Sequence, residues 1–291
     1  MRPAWSGWGL LLAAAYAQAS VQAADGAGKT VVLDRPAQRI VSLVPHATEL
    51  LFAAGAGGKV VATVDYSDHP AAAKKLPRVG GFTGFSLEAV LRQKPDLVVA
   101  WQDGGTPREL ARLRGMGVPV FISHPLQPDD VAQEMIKLGQ LAGTDAAAAQ
   151  AAAAYRQRLA ALRQRYSGRP PLRVFYQLSR TPIFTVSGKS YIDALIRVCG
   201  GVNVFADLPL PAPQVSTAAV VAAQPQAIVA GDDATLAMWK RWQAIPAVAG
   251  GALLALPGDA IAIPGPRLVD GAEQLCARLD TARQRLGLTP K

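Results

Sequence analysis

Residues 39–45, RIVSLVP, begin a strand–helix plan that the chain repeats from residue 173, where it reads RVFYQL. Each copy continues with a helical stretch, a glycine-containing turn and a second apolar run, and then a proline-containing turn (94–96 or 224–226) precedes a third run. Alternation of short β-branched strands with helices is typical of a parallel sheet covered by helices. The sequence therefore predicts an α/β protein with two Rossmann-like lobes and, between them, a groove of the kind that binds small molecules.

The first 23 residues have the composition of a secretory signal. Arg2 supplies an early charge, an apolar run covers 7–17, and Val-Gln-Ala at 21–23 provides the small residues that a signal peptidase requires. The apolar run is shorter than the about 20 residues that span a bilayer. A buried N-terminal helix is the alternative interpretation. We expect a signal peptide at 1–23 and export to the periplasm of a mature chain without a membrane span.

An Ala-rich segment at 144–168 is predicted to form one long helix. Alanine has the highest helix propensity, and Tyr155 and Leu159 recur within the segment at helical spacing before Gly168 ends it. A helix of about 20 residues is about 30 Å long, which is enough to join two lobes. The predicted organisation is an N-terminal lobe at 38–143, the inter-lobe helix at 144–168 and a C-terminal lobe at 171–288.

The chain is basic, with a formal net charge of +9 at pH 7. Its lysines and arginines are spread singly, mostly at helical spacing, and no basic stripe with interleaved aromatic residues is present. Spread charge of this kind is typical of solvated helix faces, whereas nucleic-acid binding requires a clustered basic surface. We therefore expect no nucleic-acid partner.

The two cysteines, Cys199 and Cys276, stand far apart in the sequence. Neither has a second cysteine or a histidine at metal-ligand spacing, which disfavours a zinc site. In an oxidising compartment such a pair usually forms a disulfide, and two buried free thiols are the alternative. A catalytic thiol is disfavoured because no histidine stands beside either cysteine in the sequence.

The sequence contains no recognisable catalytic constellation. Ser-Gly-Lys-Ser at 187–190 resembles the end of a phosphate-binding loop, but Ile183 stands where that motif requires glycine, so a turn before a helix is predicted instead. The three histidines, His46, His69 and His124, have no metal-ligand spacing. We therefore expect a binding protein rather than an enzyme, with no cofactor and no resident metal. An exported α/β enzyme is the alternative from another class.

Aromatic side chains are concentrated at the predicted strand ends. Tyr66, Phe82 and Trp101 lie in turns or just beyond strands of the first repeat, and Phe184 has a comparable place in the second. Rings at such positions can stack on a flat, largely apolar ligand, and ordinary packing is the alternative for each of them. The pattern favours a groove for a planar ligand.

Seven ordered motifs give the chain a resemblance to a known family. They lie at 39–55, 66–70, 94–101, 184–189, 198–205, 213–216 and 274–276. Together they resemble the periplasmic cobalamin-binding proteins of ABC importers, within the wider group that binds iron chelates and cobalamin. The resemblance covers residues 39–286. It implies a monomer of two lobes on one long helix with little hinge motion, a corrinoid held in the groove, a Cys199–Cys276 disulfide and an ABC transporter permease as partner.

The resemblance carries five groove contacts over to this chain: Tyr66, Phe82, Trp101, Phe184 and Asp259. The first four supply rings and the last supplies a polar contact. Two positions depart from the family pattern, because Ala212 replaces an aromatic residue that walls the ligand and Ile263 replaces an arginine that contacts its periphery. The predicted ligand is cobalamin or a related corrinoid, and haem or a ferric siderophore is the alternative.

His46 is a further candidate for the groove. It follows the first strand at a predicted helix start, where this fold directs residues at the ligand. A histidine there can ligate a haem iron or a corrinoid cobalt. A local hydrogen bond at the helix start is the alternative role.

Glu88 is the candidate for permease docking. It follows Ser86 at a predicted helix start, where a carboxylate also complements the positive end of the helix. In the family that the chain resembles, the matching glutamate docks on arginines of the permease. The corresponding residue of the second repeat is Ala218, so either the permease contacts are asymmetric or another acid, such as Asp207, takes over.

Overall fold

The two repeats form two α/β lobes in the computed structural model, which describes residues 20–81, 83–102, 104 and 106–288. The first half contains, in order, β1 (Val21–Ala24), β2 (Thr30–Leu33), β3 (Ile40–Ser42), α1 (Pro45–Ala53), β4 (Val60–Ala62), β5 (Gly80–Gly81), β6 (Gly84–Phe85), α2 (Leu87–Arg92), β7 (Leu97–Trp101), α3 (Pro107–Gly115), β8 (Val120–Ser123) and α4 (Asp130–Ala142). The second half contains α5 (Asp145–Tyr166), β9 (Leu172–Arg180), β10 (Ile183–Thr185), α6 (Tyr191–Val198), β11 (Gly201–Asn203), α7 (Thr217–Ala223), β12 (Ala227–Ala230), α8 (Asp233–Ala237), α9 (Pro246–Ala249), β13 (Leu253–Ala255) and α10 (Leu268–Arg285). The predicted α/β class is confirmed.

The N-terminal sheet is parallel and buried. Its strand order is β4-β3-β7-β8, and every residue of β3 and the first four residues of β7 are buried. Strands that are covered on both faces form continuous apolar runs rather than alternating ones, which explains the run that ends at Trp101. The carboxyl ends of β7 and β8, at Trp101 and Ser123, are paired neighbours at one edge of this sheet.

The C-terminal sheet repeats this plan with one antiparallel strand. Its order is β10-β9-β12-β13, and β11 pairs in parallel with the first part of β9. The strand β10 turns back along the end of β9. The loops that follow the parallel strands stand at the carboxyl edge of the sheet, where α/β proteins bind ligands.

The Ala-rich segment forms the single helix α5, which touches both lobes. On the N-terminal side α5 packs closely on α4, because Gly139 lacks a Cβ atom that would otherwise come within 2.3 Å of the Ala148 Cβ atom. Arg163 pairs with Asp129 on that side at 2.5 Å. On the C-terminal side Arg158 pairs with two acids of α10: Asp270 at 2.6 Å and Glu273 at 2.8 Å. The inter-lobe helix is thus fixed to both lobes.

The disulfide implied by the family resemblance is present. Cys199, at the end of α6, is bonded to Cys276 of α10 with an S–S distance of 2.01 Å. Both residues are fully buried. The bond joins two helices of the C-terminal lobe across 77 residues of sequence.

A hairpin that the sequence did not reveal precedes the first repeat. The strands β1 and β2 pair antiparallel and pack against α4. Asp25 fixes the turn by accepting hydrogen bonds from the backbone N–H groups of Ala27 and Lys29. The predicted signal segment 1–23 lies mostly outside the described residues, and its last three residues belong to β1. Within the described residues, no helix has the length and apolar character needed to cross a membrane.

Candidate ligand-binding groove

A cavity of about 330 Å³ opens between the two lobes and is called the groove below. One wall comes from residues that follow β3, β7 and β8, and the other comes from loops of the C-terminal lobe. The lining consists of Val44, Pro45, His46, Trp101, His124, Pro125, Leu126, Lys189, Ser190, Tyr191, Pro211, Ala262, Ile263 and Pro264. Most of these residues are apolar or aromatic, as is usual for a small-molecule site.

Two of the predicted site residues, His46 and Trp101, lie together in the N-terminal wall. Their rings meet edge to face, with centroids 6.1 Å apart, which is a favourable arrangement for aromatic pairs. Trp101 is 39% exposed although the rest of β7 is buried, whereas His46 is 3% exposed. The buried imidazole therefore supports an indole that stands open to the groove.

A chain of hydrogen bonds fixes His46 from the inside. Its Nε2 atom lies 2.7 Å from the Ser123 hydroxyl at the end of β8. Ser123 donates in turn to the Glu134 carboxylate of α4, and Glu134 also accepts the backbone N–H of His124 at 2.7 Å. The partner of His46 is thus 77 residues away in sequence rather than local to the helix start.

The same surroundings keep His46 uncharged. Burial and, to a lesser extent, the nearby His124 lower the pKa of His46 to about 3. Burial also raises the pKa of Glu134, against the opposing hydrogen bond from Ser123. The imidazole is therefore neutral at physiological pH, and the N-terminal wall presents no cation from this residue to a ligand.

Tyr66 lies outside the groove lining, on an exposed and strained turn. Its φ angle is 64°, in the left-handed region that residues other than glycine seldom adopt, and it is 74% exposed. Arg78 holds this turn by donating to the backbone carbonyls of Val64 and Ser67. Strain of this kind persists only where the surroundings impose it, and it is common at ligand sites.

Two of the remaining predicted contacts, Phe184 and Asp259, do not belong to the described groove lining. Phe184 is half-buried in β10, where it pairs with Gln214. Asp259 lies on the loop before α10 with its carboxylate bonded to Arg267, and this contact lowers the pKa of Asp259. Phe82 lies outside the described residues.

An ion-pair bridge between the lobes was not foreseen from the sequence. Arg267, at the start of α10, donates to Glu49 of α1 at 2.6 Å and to Asp259 at 2.7 Å. Glu49 is 6% exposed; burial raises its pKa, while the contact with Arg267 opposes that rise. A buried acid paired across two lobes resists their separation, because separation would leave its charge without a partner.

The lining also contains residues that the sequence did not single out as ligand contacts, among them His124, Lys189 and Tyr191. His124 directly follows β8, so its position at a strand end is a signal that could have identified it. Tyr191 donates from its hydroxyl to the Ala262 carbonyl at 2.8 Å. This bond ties α6 to the loop that carries Ile263.

The two lobe tips have the same backbone design but different charges. Ser86 accepts from the backbone N–H of Ala89 at the start of α2, and Ser216 accepts from that of Ala219 at the start of α7. Glu88 therefore occupies in the first repeat the position that Ala218 occupies in the second. Glu88 is exposed and, among the described residues, pairs only with Arg92, one turn later, at 3.2 Å.

Within the described part of the chain, no group of three or more His, Cys, Asp or Glu side chains is arranged to hold a metal ion. The ring of His46 contacts Ser123 and Trp101. In the described residues, Ser123, His46 and Glu134 are hydrogen-bonded with the serine in the middle. This order differs from that of a catalytic triad, in which histidine stands between the nucleophile and the acid.

Comparison with known proteins places these features in one family. A model of the family described as periplasmic binding protein matches residues 40–260. The chain is 41% identical over 253 residues to the vitamin B12-binding protein of Vibrio cholerae, which covers 86% of this chain and 92% of that relative. It is 39% identical over 248 residues to the vitamin B12-binding protein of Yersinia pestis, covering 84% and 86% respectively.

Solved structures show the same likeness. The crystal structure of the periplasmic vitamin B12 binding protein of Vibrio cholerae is similar with a TM-score of 0.80 at 41% identity, covering 86% of this chain and 99% of that one. A periplasmic heme-binding protein of Roseiflexus is similar with a TM-score of 0.74 at 27% identity, covering 84% and 98%. With two α/β lobes, a groove between them and a family match over most of its length, the chain belongs to the periplasmic binding protein family.

Proposed function

We propose that this protein is a periplasmic solute-binding protein that captures a corrinoid, specifically cobalamin, and delivers it to the permease of an ABC importer. The observation that carries the proposal is the 41% identity to a vitamin B12-binding protein over 92% of that relative. The groove geometry supports it, because an exposed indole and apolar lining suit a flat macrocycle. No chemical step on the ligand is required.

Capture depends on a groove that exists before the ligand arrives. The long helix α5 packs on both lobes within one buried apolar cluster and carries exposed ion pairs to each of them, and Arg267 bridges the lobes directly. Trp101 is held by the buried His46, and the Tyr66 turn is held by Arg78. A preformed site spends little of its binding free energy on ordering, so modest contacts give useful affinity.

Delivery is assigned to the lobe tips. Glu88 is exposed, lies at a helix start and pairs with the solvated Arg92, so its carboxylate is available to basic residues of a permease. Electrostatic contacts at such a rim mainly accelerate association. The C-terminal tip lacks an equivalent charge, and the exposed Asp207 is the acid that we assign to its contact.

Replacement of Glu88 by alanine is expected to slow uptake several-fold at low salt while leaving ligand affinity unchanged, because the side chain lies outside the groove. Uptake into vesicles with the reconstituted transporter measures the first effect, and titration calorimetry measures the second. Asp207→Ala tests the other tip in the same assay. Uptake unaffected by both changes would remove the acidic tips from the docking surface.

Haem capture is the second candidate. Two histidines, His46 and His124, line the groove, and imidazole is a common axial ligand of haem iron. The hydrogen bond from His46 Nε2 to Ser123 weighs against this role for that residue. An exported enzyme has no supporting observation within the described residues.

The test is calorimetric titration of the mature protein with cyanocobalamin, with hemin in parallel. Saturable one-to-one binding of cyanocobalamin is the expected result. It would also show that Ala212 and Ile263 are compatible with a corrinoid. Tight hemin binding without any corrinoid binding would overturn the proposal in favour of haem capture.

A further inference from the structure

We propose that Lys189 is a specificity-determining contact in the groove, which binds an anionic phosphate group on the nucleotide side of the corrinoid. This inference rests on the proposed function and adds a chemical preference to it. Lys189 would make the protein favour corrinoids that carry a phosphate over those that lack one.

Lys189 is the one permanently charged residue among the described residues that line the groove. His46, which also lines the groove, carries no charge at neutral pH, because its pKa is about 3. No aspartate or glutamate belongs to the described lining. A ligand in this groove therefore meets a single fixed cation.

No ion pair joins Lys189 to another described residue. The acids on nearby loops already have partners, because Asp259 and Glu49 are both bonded to Arg267. Asp193, on the first turn of α6, pairs with Arg197 at 2.6 Å. The ammonium group is thus available to a ligand in the described structure, and none of these three acids is paired with it.

The position of Lys189 beside a helix start also favours an anionic ligand group. It stands directly before Ser190, which caps α6 by accepting from the backbone N–H of Ile192 at 3.2 Å. The start of α1, at Val44 and Pro45, lines the opposite side of the same groove. Helix starts carry partial positive charge, so the lysine and the two helix ends add to one positive field in a mostly apolar cavity.

The ligand chemistry that fits is an oxyanion attached to an otherwise apolar macrocycle. A corrin ring carries neutral amide side chains, and the phosphodiester of the nucleotide loop is its anionic group. Lysine binds phosphate as a point charge, and such a contact is screened by salt when it is partly exposed. The apolar lining holds the ring, while Lys189 selects the form with a phosphate.

The experiment compares Lys189→Gln with the wild type in calorimetric titrations of three corrinoids. Cyanocobalamin carries a phosphodiester, dicyanocobinamide phosphate carries a phosphate without the base, and dicyanocobinamide carries neither. The substitution is expected to weaken binding of the first two about tenfold, equivalent to about 1.4 kcal/mol. Binding of dicyanocobinamide is expected to change less than twofold.

Two further variants control for charge and position. Lys189→Arg keeps the cation and should stay within about threefold of the wild type for every ligand. Lys240→Gln removes an equal charge from an exposed site outside the groove and should have no ligand-specific effect. Raising the salt concentration should weaken cyanocobalamin binding by the wild type more than by Lys189→Gln.

The outcomes separate the two proposals. If the wild type binds corrinoids but Lys189→Gln weakens all three equally, or none of them, Lys189 is no phosphate contact and only this inference is overturned. If the wild type binds no corrinoid, the proposed function fails and this inference fails with it. Lys189 is exposed, and within the described part of the chain its hydrogen bond is made by the backbone N–H, so each variant should fold, and equal melting temperatures would verify this.

Discussion

The two walls of the groove come from equivalent ends of two similar sheets, yet their chemistry differs. The N-terminal wall carries Trp101 and His46 and is anchored through Ser123 to the interior. The C-terminal wall is made mostly of small or aliphatic groups, such as Ile263, together with Tyr191 and the cation of Lys189. The repeated plan therefore determines where a wall stands, and the residues at the strand ends determine what it binds.

The interiors of the lobes differ in a parallel way. In the N-terminal lobe, Thr48 and Thr63 share a hydroxyl hydrogen bond of 2.7 Å within a buried polar cluster. In the C-terminal lobe, Phe175 packs edge to face on Trp239, and the Cys199–Cys276 disulfide joins α6 to α10. Both lobes have apolar cores; the first adds a cluster of internal hydroxyl bonds, and the second adds aromatic packing and a covalent link.

Removing the covalent link should have the largest effect. The double variant Cys199→Ala, Cys276→Ala is expected to lower the free energy of unfolding by about 4 kcal/mol, because the bond closes a loop of 77 residues. Guanidinium unfolding measures the loss. Thr63→Val, which breaks the polar cluster of the other lobe, should cost about 1–2 kcal/mol. An equal cost for both changes would remove the contrast between the interiors.

The bridge between the lobes should come next. Arg267→Met leaves the buried carboxylate of Glu49 without its cation and is expected to cost about 3 kcal/mol of unfolding free energy. Arg158→Met is the matched control, because its ion pairs are exposed and should contribute below about 1 kcal/mol. Urea unfolding measures both losses. Similar losses for the two variants would show that the buried bridge contributes no more to the free energy of unfolding than an exposed ion pair.

The walls can be compared directly through ligand affinity. Trp101→Ala is expected to weaken cyanocobalamin binding by about 2 kcal/mol, since it deletes the exposed ring of the N-terminal wall. Ile263→Ala removes a smaller apolar group from the other wall and should cost about 1 kcal/mol or less. Calorimetric titration distinguishes the two. Unchanged affinity of Trp101→Ala would exclude that ring from the site.

The titration of His46 should make the stability of the fold depend on pH. The pKa of His46 is depressed to about 3 in the folded protein, below its unfolded value of about 6.5. Its contribution to stability is therefore present above pH 6.5 and is lost as the pH falls toward 3. Between pH 7 and pH 5 the free energy of unfolding should fall by about 2 kcal/mol from this residue.

The control for this prediction is His46→Gln, which removes the titrating group but can still bond to Ser123. Burial raises the pKa of the neighbouring Glu134, which acts in the opposite direction at lower pH. The informative quantity is therefore the difference in slope between wild type and variant in chemical unfolding between pH 7 and pH 5. Equal slopes would show that His46 is not held neutral by the fold.

Local sequence patterns were sufficient to predict much of the fold. Uninterrupted apolar runs such as the one ending at Trp101 predicted buried parallel strands, and the alanines around Tyr155 predicted the long helix. The β1–β2 hairpin escaped notice because only four residues form each strand and its partner α4 follows about 100 residues later. Its stability comes from packing that a local pattern does not contain.

The candidate site was less accessible to sequence reasoning. His46 and Trp101 could be placed at the groove because each stands at the carboxyl end of a predicted strand. The bridge from Arg267 to Glu49 joins residues 218 positions apart, so no local pattern indicates it. Asp259 illustrates the same limit, since its bond to Arg267 depends on how the loop before α10 folds back. The roles predicted for Tyr66, Phe82 and Phe184 stay predictions.

The way in which α5 lies between the lobes has a consequence for cooperativity. Ala148 packs against Gly139 of the N-terminal lobe, while Arg158 is bonded to α10 of the C-terminal lobe. One buried apolar cluster runs from α4 through α5 to α10. Neither lobe keeps a complete interior without this shared helix, so the loss of one lobe would expose part of the other. The two lobes should therefore melt together as a single unit.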